Sequence, residues 1–352
     1  MAKIDYPAHL EEMWKKAIAP REANAPTVIS TFAGGGGSLT GYMMAGFRDL
    51  LAVEWDNNAV ETLRLNWPEL DIYHGDIAKL SVEEVLQRTG LQPGELDILD
   101  GSPPCQGFST AGKRIMDDPR NQLFKEYVRL LRGLQPKVFI MENVSGMVKG
   151  KMKLVFVDIL KELKASGYQV SAKLLNAMYF HVPQSRQRMI FIGVRNDLGI
   201  MPSHPKGESG AICARDALPI TPDGITLPKK YVPIWEATKP GESFGDGNQR
   251  LIGKQTSFAA KKIHPLKASN SVTKQIMVGL SGLHRWDSPC LLSALELRRL
   301  GSFPDCYLFN AVDEASLNGY RRVAERIGNS VPPLFMEAIA RHVRAEILDK
   351  IL

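Results

Sequence analysis

Residues 27–38 read TVISTFAGGGGS, and this segment is the clearest indication of the fold class. Its first seven residues are rich in β-branched side chains, which favour a buried strand over Thr27–Ala33. The four glycines that follow permit a tight turn and let a ligand approach the backbone closely. A strand that runs directly into such a turn is typical of the first unit of a doubly wound α/β domain with a nucleotide site.

The residues that follow continue the same alternation. Short β-rich runs are separated by segments with helical periodicity, which indicates βαβ units around a mixed, mostly parallel sheet. The clearest helices are Asn121–Arg132 and Leu154–Leu163, because each places apolar residues on one face. The further predicted strands are Leu51–Glu54, Ile72–His74, Leu96–Asp100, Lys137–Met141 and Met189–Val194.

The character of the sequence changes at about Asn196, where frequent proline and glycine residues interrupt regular alternation and predict a smaller, irregular domain. Residues 196–290 contain 12 Lys and Arg against 8 Asp and Glu, so they carry +4 of the net charge of +6 and suit a phosphate-bearing partner. Helical patterning returns after Leu291, with one or two helices over Val323–Leu352 that are broken at Pro332-Pro333.

Acidic side chains follow the second and third predicted strands. Glu54 stands twenty residues after Gly34, where doubly wound nucleotide sites place an acid that accepts hydrogen bonds from ribose. Trp55 could lie against an adenine ring, and Asp76 could accept from the adenine amino group. The dinucleotide pattern G-x-G-x-x-G fails because Leu39 or Thr40 stands at its last position, so adenosine fits better than a pyrophosphate.

Chemistry-bearing residues follow the fourth and fifth strands. Two prolines stiffen the chain directly before Cys105, at the sheet edge where ligands bind, so a nucleophile could be presented there. Glu142 ends the fifth strand and, if partial burial keeps it protonated, could act as a general acid. If the last strand is extended at its start, Gln184, Arg186 and Arg188 point the same way, and two guanidiniums suit a carboxylate or phosphate.

Composition excludes several classes of protein. Hydrophobic residues make up 44% and charged residues 23%, which is ordinary globular usage and argues against a disordered or fibrous chain. No apolar run is long enough to span a membrane, and acidic residues near the N-terminus argue against a signal peptide. The four cysteines lie far apart without a C-x-x-C pair, so we expect no metal site and a reducing, cytoplasmic compartment.

Together these motifs resemble the DNA (cytosine-5) methyltransferase family over nearly the whole chain. Phe32-Ala33-Gly34-x-Gly36-Gly37 is similar to the loop that binds the methionine part of the cofactor, and Pro103-Pro104-Cys105-Gln106 to the catalytic loop. Glu142-Asn143-Val144 and Gln184-x-Arg186-x-Arg188 resemble the two motifs that grip the target base. Gly328-Asn329-Ser330-Val331-Pro332-Pro333 resembles the segment that closes the cofactor pocket.

The resemblance implies S-adenosyl-L-methionine as methyl donor, S-adenosyl-L-homocysteine as product and double-stranded DNA as substrate. The implied catalytic residues are Cys105, Glu142, Arg186 and Arg188, and Gln106, Ser109, Asn143 and Gln184 would contact the substrate. The implied cofactor residues are Phe32, Ala33, Gly34, Gly36, Gly37, Glu54, Trp55, Asp76, Ile77, Pro103, Asn329 and Ser330.

The same resemblance divides the chain into four segments: an N-terminal extension over 1–26, a catalytic and cofactor-binding domain over 27–195, a target-recognition domain over 196–305 and a C-terminal segment over 306–352 that returns to the catalytic domain. It also implies a monomer on DNA, association with the nucleoid in a prokaryote, and a cognate restriction endonuclease as genetic partner. Two positions depart from the family: Ser30 stands where an acid is common, and Leu295 where Arg is common.

Three alternatives remain open from the sequence. A tRNA cytosine-5 methyltransferase carries similar motifs, and methyl acceptance by tRNA rather than duplex DNA would reveal it. A catalytically silent DNA-binding protein could share the fold, although Cys105, Glu142 and Arg188 are all in place. A nicotinamide oxidoreductase would bind NAD more tightly than S-adenosylmethionine.

Overall fold

The computed structural model describes residues 4–104, 122–148, 150, 152–208, 210–218, 224–256, 258–309 and 313–351. The chain divides into two compact units. The first, which we call the sheet unit, comprises Lys16–Asn176, Gln187–Lys206 and Met336–Leu352. The other, the second unit, comprises Met1–Lys15, Ala177–Arg186 and Gly207–Phe335. The four-segment division expected from the sequence stays a prediction, and each unit is described here by itself.

The sheet unit is built on a seven-stranded sheet of order β3-β2-β1-β4-β5-β8-β6. Strands β1 to β5 pair in parallel, whereas β8 runs antiparallel between β5 and β6. The doubly wound, mostly parallel α/β fold predicted from the sequence is therefore confirmed. The strands are β1 (Thr27–Thr31), β2 (Arg48–Glu54), β3 (Ile72–His74), β4 (Ile98–Gly101), β5 (Val138–Val144), β6 (Tyr168–Asn176), β7 (Gln184–Ser185), β8 (Gln187–Arg195), β9 (Ala259–Lys262), β10 (Ser269–Asn270) and β11 (Ser281–His284).

Helices follow most strands of the sheet unit because apolar side chains recur on one face and polar residues cap the ends. Asp56 accepts from the amide of Ala59 and starts α3, and Ser81 accepts from Glu84 and starts α4. The helices are α1 (Tyr6–Ile18), α2 (Gly37–Met44), α3 (Asn57–Asn66), α4 (Val82–Thr89), α5 (Gln122–Leu134), α6 (Met152–Ala165), α7 (Ala214–Ala217), α8 (Val232–Ala237), α9 (Phe244–Ile252), α10 (Ala294–Leu300), α11 (Leu317–Asn329) and α12 (Pro333–Glu346).

The core of the sheet unit lies between the sheet and helices α4 to α6. Phe139, Met141 and Phe191 from the strands pack there with Tyr127 and Leu131 of α5, and all five side chains are fully buried. Gly193 leaves room for the ring of Phe139, since a Cβ there would stand 1.9 Å from it. This packing fixes the sheet, and so fixes the positions at which its strands end.

The second unit has short elements and two small sheets, in which β7 pairs with β10 and β9 with β11. Its core gathers aromatic and aliphatic side chains, including Phe303, Tyr307 and Tyr320. Ionic groups also lie inside: Arg285 is 1% and Glu296 0% exposed, and the two form an ion pair. The second unit is thus organised partly by buried polar contacts rather than by long strands.

Several element predictions are confirmed with small shifts of boundary. The predicted helices correspond to α5 and α6, and the predicted break at Pro332-Pro333 separates α11 from α12. The first strand ends at Thr31 rather than Ala33, because Phe32 and Gly34 adopt positive φ angles of 55° that no strand accommodates. The edge strand β6 was missed. No helix in the described residues is long and apolar enough to cross a membrane.

Candidate active site

The carboxyl ends of β1, β2, β4 and β5 meet at one edge of the sheet, because these strands are parallel and adjacent. The glycine turn follows β1, Glu54 ends β2 and the Gly101-Ser102-Pro103-Pro104 segment follows β4. Glu142 lies near the end of β5. The structure therefore brings together at one edge the side chains that the sequence placed at separate strand ends.

Glu54 shapes the glycine turn. Its carboxylate is 7% exposed; Oε2 accepts from the amide of Gly34 at 2.7 Å, and Oε1 accepts from the amides of Trp55 and Asp56 at 2.9 Å each. Gly36, with φ +80°, then starts α2. A side chain at either left-handed glycine would be strained, so the loop needs glycine there. The predicted Phe32, Ala33, Gly34, Gly36 and Gly37 thus form one turn around a buried acid.

Trp55 and Asp76, the residues expected to hold adenosine, follow the ends of β2 and β3 and have different surroundings. The Trp55 side chain is 78% exposed, an unusual state for tryptophan and one suited to stacking against a planar ring. The Oδ1 atom of Asp76 accepts from the amide of Ala78 at 3.0 Å, so Asp76 caps the short helix that Ile77 starts. Ile77 is 4% exposed and contributes packing. An exposed aromatic face beside fixed carboxylates suits a nucleoside.

Glu142 and Arg188 form an ion pair across two adjacent strands. Arg188 of β8 pairs in register with Val144 of β5, so it lies diagonally opposite Glu142 on the same face of the sheet. The Nε atom of Arg188 lies 2.6 Å from Oε1 of Glu142, and the two side chains are 17% and 11% exposed. The sheet therefore presents one carboxyl group whose orientation is fixed by a guanidinium.

Asn143 points to the opposite face and holds the chain that leads to the predicted nucleophile. Its side-chain amide donates to the carbonyl of Pro103 at 3.1 Å, and its Oδ1 accepts from the amide of Val144 at 2.8 Å. Asn143 is 5% exposed, so its geometry gives it a positioning contact. The predicted Cys105, Gln106 and Ser109 lie outside the described residues.

Gln184 and Arg186 belong to the second unit, whereas Arg188 belongs to the sheet unit. Gln184 is 1% exposed and bridges the carbonyl of Leu300 and the amide of Val272, at 2.9 and 3.0 Å. Arg186 is 3% exposed and donates to the carbonyl of Gly328 at 2.8 Å. Both side chains therefore hold parts of the second unit together, and only Arg188 of the three meets Glu142.

Asn329 and Ser330, expected at the cofactor pocket, also belong to the second unit. Ser330 is 7% exposed, follows α11 directly and donates from its hydroxyl to the carbonyl of Arg326 at 2.7 Å. Gly328 precedes them and packs closely, since a Cβ there would stand 2.5 Å from the amide nitrogen of Lys274. The segment is therefore held by the same contacts that hold Arg186.

Two acids of the strands were not predicted from the sequence: Asp100, which is buried near the end of β4, and Asp49, which lies near the start of β2. Burial raises the pKa of Asp100 well above its usual range, and hydrogen bonds from Tyr42 and Ser38 offset part of that rise. Burial likewise raises the pKa of Asp49 to about 7, against a hydrogen bond from Ser30. The position of Asp100, directly before Gly101-Ser102-Pro103 at the end of a predicted strand, was the feature of the sequence that could have indicated it. No group of three metal-ligating side chains is found in the described parts of the chain.

This fold and this strand-end site define a class of protein, and comparison with known families identifies it. Residues 26–345 match the family model "C-5 cytosine-specific DNA methylase". The chain therefore belongs to that family and is a DNA (cytosine-5) methyltransferase. Members of the family use S-adenosylmethionine as methyl donor and act on DNA.

Individual relatives agree with the family assignment. The chain is 33% identical to the type II methyltransferase M1.HphI of Haemophilus parahaemolyticus over 340 residues, which are 90% of this chain and 86% of that protein. It is 30% identical to M.NgoPII of Neisseria gonorrhoeae over 353 residues, 93% and 97% of the two chains. The structure of Spodoptera frugiperda DNMT2 has the same fold, with a TM-score of 0.64, 19% identity and coverage of 93% and 99%.

Proposed function

We propose that this chain methylates C5 of a flipped-out cytosine within a specific double-stranded DNA sequence, through a covalent bond between Cys105 and C6 of the base. The observation that supports this most directly is the Glu142–Arg188 pair at 2.6 Å, next to an asparagine that holds Pro103. Pro103 stands two residues before Cys105. A nucleophile and a fixed acid would thus reach the base together.

The cysteine thiolate would open the reaction. Because C5 of cytosine is a poor nucleophile while the ring is aromatic, Cys105 would first add to C6, and the electron pair of the C5–C6 double bond would shift towards N3. Glu142 would donate a proton at N3, which leaves C5 enamine-like. Arg188 occupies Oε1 of Glu142, so the other carboxyl oxygen is the one available to the base.

The methyl donor supplies an electrophilic methyl group on a sulfonium. The residues of the sheet edge fit such a ligand: the glycine turn gives room for close approach, and the exposed Trp55 ring gives adenine a platform. Glu54 and Asp76 would bind the ribose and the adenine amino group, and Asn329 and Ser330 would close the pocket. After transfer, loss of the C5 proton to water and departure of the Cys105 thiolate would restore the C5–C6 double bond, and return of the N3 proton to the Glu142 carboxylate would restore the neutral base and the acid.

The base must leave the helix for C6 to be reached, at a cost of a few kcal/mol in lost stacking and pairing. The second unit would select the sequence, since Lys and Arg exceed Asp and Glu by four over residues 196–290. The named relatives are type II methyltransferases. This chain would act on DNA as a monomer and would protect its host's DNA from an endonuclease of the same specificity.

Expression in cells that lack cytosine methylation tests the proposal. Nucleoside analysis of their DNA should show 5-methylcytosine, and bisulfite sequencing should place it in one short recurring sequence. The Cys105→Ala variant, expressed to the same level, should leave the DNA unmethylated while the purified protein still binds duplexes that contain the sequence. Methylation of tRNA alone, or equal methylation by the variant, would contradict the proposal.

A further inference from the structure

A carboxyl group that the proposed reaction does not use lies beneath the glycine turn. Asp100 is 3% exposed and stands at the end of β4, five residues before Cys105. It pairs in register with Ser30 of β1 and with Ile140 of β5. Because residues two apart on a strand share a face, Asp100 lies on the same side of the sheet as Glu142. Burying a carboxyl group is costly unless its polar atoms find partners.

The partners of Asp100 come from both sides of the glycine turn. Before the turn, the Thr31 hydroxyl donates to the backbone carbonyl of Asp100 at 2.7 Å. After the turn, the Tyr42 hydroxyl donates to Oδ1 of Asp100 at 3.0 Å, and the Ser38 side chain adds a second hydrogen bond. Ser38 and Tyr42 both lie on α2, the helix that starts as the turn ends. One residue thus binds the strand that enters the turn and the helix that leaves it.

The electrostatic surroundings favour a neutral carboxyl group. Burial contributes most to raising the pKa of Asp100, and the nearby acids Asp49 and Glu142 raise it further. Tyr42 and Tyr127 face it as neutral phenols, because burial also raises the pKa of each. None of the described groups that shift the pKa of Asp100 is a cation. A neutral carboxyl group accepts from Tyr42 without leaving an unpaired charge inside the sheet unit.

We propose that Asp100 is a positioning residue whose side chain ties α2, the helix that leaves the glycine turn, to the end of β4, and thereby sets the affinity for S-adenosylmethionine without touching it. The proposal rests on the proposed cofactor site and adds a residue to it. The turn holds Gly34 and Gly36 at left-handed φ angles. If α2 could move relative to β1 and β4, the turn would sample more conformations. A ligand would then have to order the loop on binding, which weakens its affinity.

The test is calorimetric titration of S-adenosylmethionine into purified variants without DNA. Asp100→Leu keeps the branched shape at a larger volume and loses every side-chain hydrogen bond, and Tyr42→Phe loses one. We expect the dissociation constant to rise at least about tenfold for Asp100→Leu and about threefold for Tyr42→Phe, as lost buried hydrogen bonds do. Asp100→Asn still accepts from Tyr42 and should stay within about twofold of wild type. At saturating cofactor, all three should keep kcat within about threefold.

Asp97→Asn is the matched control, because Asp97 precedes the same strand and binds Lys137 at 2.8 Å and the amide of Thr27 at 2.7 Å. This variant should lower the unfolding temperature without raising the dissociation constant of S-adenosylmethionine. The proposal would be overturned if Tyr42→Phe left the affinity for S-adenosylmethionine unchanged. It would also be overturned if Asp97→Asn lowered that affinity as much as the Asp100 and Tyr42 variants do, or if Asp100→Asn lowered it as much as Asp100→Leu. If the wild-type chain itself failed to bind S-adenosylmethionine, the cofactor site would be wrong instead.

Discussion

The sheet unit and the second unit use charged side chains in different ways. In the sheet unit, Glu142 and Arg188 form a partly exposed pair at the end of adjacent strands, where a ligand can reach them. In the second unit, Arg285 and Glu296 are 1% and 0% exposed, and Arg186 is 3% exposed with backbone carbonyls as partners. The regular sheet makes most of its core from apolar side chains and leaves this ion pair at a strand end. A unit with short strands needs charges as part of its core.

The segment from Gln184 to Arg188 shows both uses within five residues. Gln184 and Arg186 satisfy backbone groups of the second unit, and Arg188 orients Glu142 in the sheet unit. Sequence alone treats the three side chains alike, because they alternate on one side of an extended chain. Their partners, which come from distant parts of the chain, decide their roles. Substitutions at these positions should therefore separate folding from catalysis.

Removing one member of the buried ion pair should damage the second unit most. Glu296→Leu leaves the buried Arg285 with Asp287 as its remaining carboxylate, and we expect unfolding free energy to fall by about 3 kcal/mol. Denaturant unfolding would measure it. The control Glu162→Leu removes the exposed partner of Arg132 and should cost less than about 0.5 kcal/mol. Equal losses in the two variants would contradict the proposed role of the buried pair.

Arg188→Gln and Arg186→Gln should separate chemistry from folding. Arg188→Gln removes the group that orients Glu142, so the rate of methyl transfer should fall about 100-fold while the unfolding temperature hardly moves. Arg186→Gln removes the donor to Gly328 and should instead lower the stability by about 2 kcal/mol. Transfer of tritiated methyl groups and thermal unfolding give the two readouts. If Arg186→Gln slowed methyl transfer and Arg188→Gln lowered the stability instead, the roles assigned to the two arginines would be wrong.

Glu142→Gln should slow methyl transfer by at least about tenfold, within the usual range for a general acid. An amide cannot give its proton to N3 as a carboxylic acid does, yet it can still accept from Arg188, so stability should be kept. Single-turnover rates with saturating DNA and cofactor would measure the effect. Glu162→Gln, at another Arg–Glu pair of the same unit, serves as control and should react at the wild-type rate.

The two units should also respond to pH in opposite directions. In the sheet unit, burial raises the pKa of Asp49 to about 7, so its contribution to stability is present at low pH and is lost as the pH rises through 7. Asp49→Asn cannot ionise. Relative to wild type, it should gain on the order of 1 kcal/mol of stability between pH 5.5 and 7.5.

In the second unit, His284 is 0% exposed, and burial lowers its pKa to about 4. Its contribution is present above about 6.5, the pKa of an unfolded histidine, and is lost as the pH falls towards 4. His284→Leu, which does not titrate, should therefore gain on the order of 1 kcal/mol relative to wild type when the pH falls from 7.5 to 5.5. If both variants gained stability relative to wild type for the same direction of pH change, the opposite pH responses would be contradicted.

The sequence could predict the sheet unit well because its signals are local. Short β-rich runs, helical faces and strand-end acids are set by neighbouring residues, and β1 to β5 and β8 were all expected. Strand β6 was missed because it lies at the sheet edge and alternates weakly, with Lys173 and Leu174 both exposed. The role of Asp100 was missed because Tyr42 lies 58 residues away in sequence.

The second unit offered fewer local signals. Its prolines and glycines predicted irregular structure correctly, but no pattern pairs Arg285 with Glu296 or Gln184 with Leu300, 116 residues apart. The resemblance to a known family supplied Arg188 as a base-gripping residue. The resemblance implies the same role for Arg186. Only the three-dimensional contacts distinguish Arg186, which is buried against backbone carbonyls, from Arg188, which contacts Glu142.

Covalent trapping on DNA would show whether Cys105 attacks the target base. A duplex with 5-fluorocytosine at the mapped target base can accept the thiolate and the methyl group, but it has no C5 proton to lose, so the enzyme should stay attached. With S-adenosylmethionine present, we predict an SDS-stable complex whose cross-linked peptide contains Cys105, and none with Cys105→Ala. A wild-type enzyme that methylates the ordinary duplex but forms no such complex, or one attached at another residue, would contradict the account.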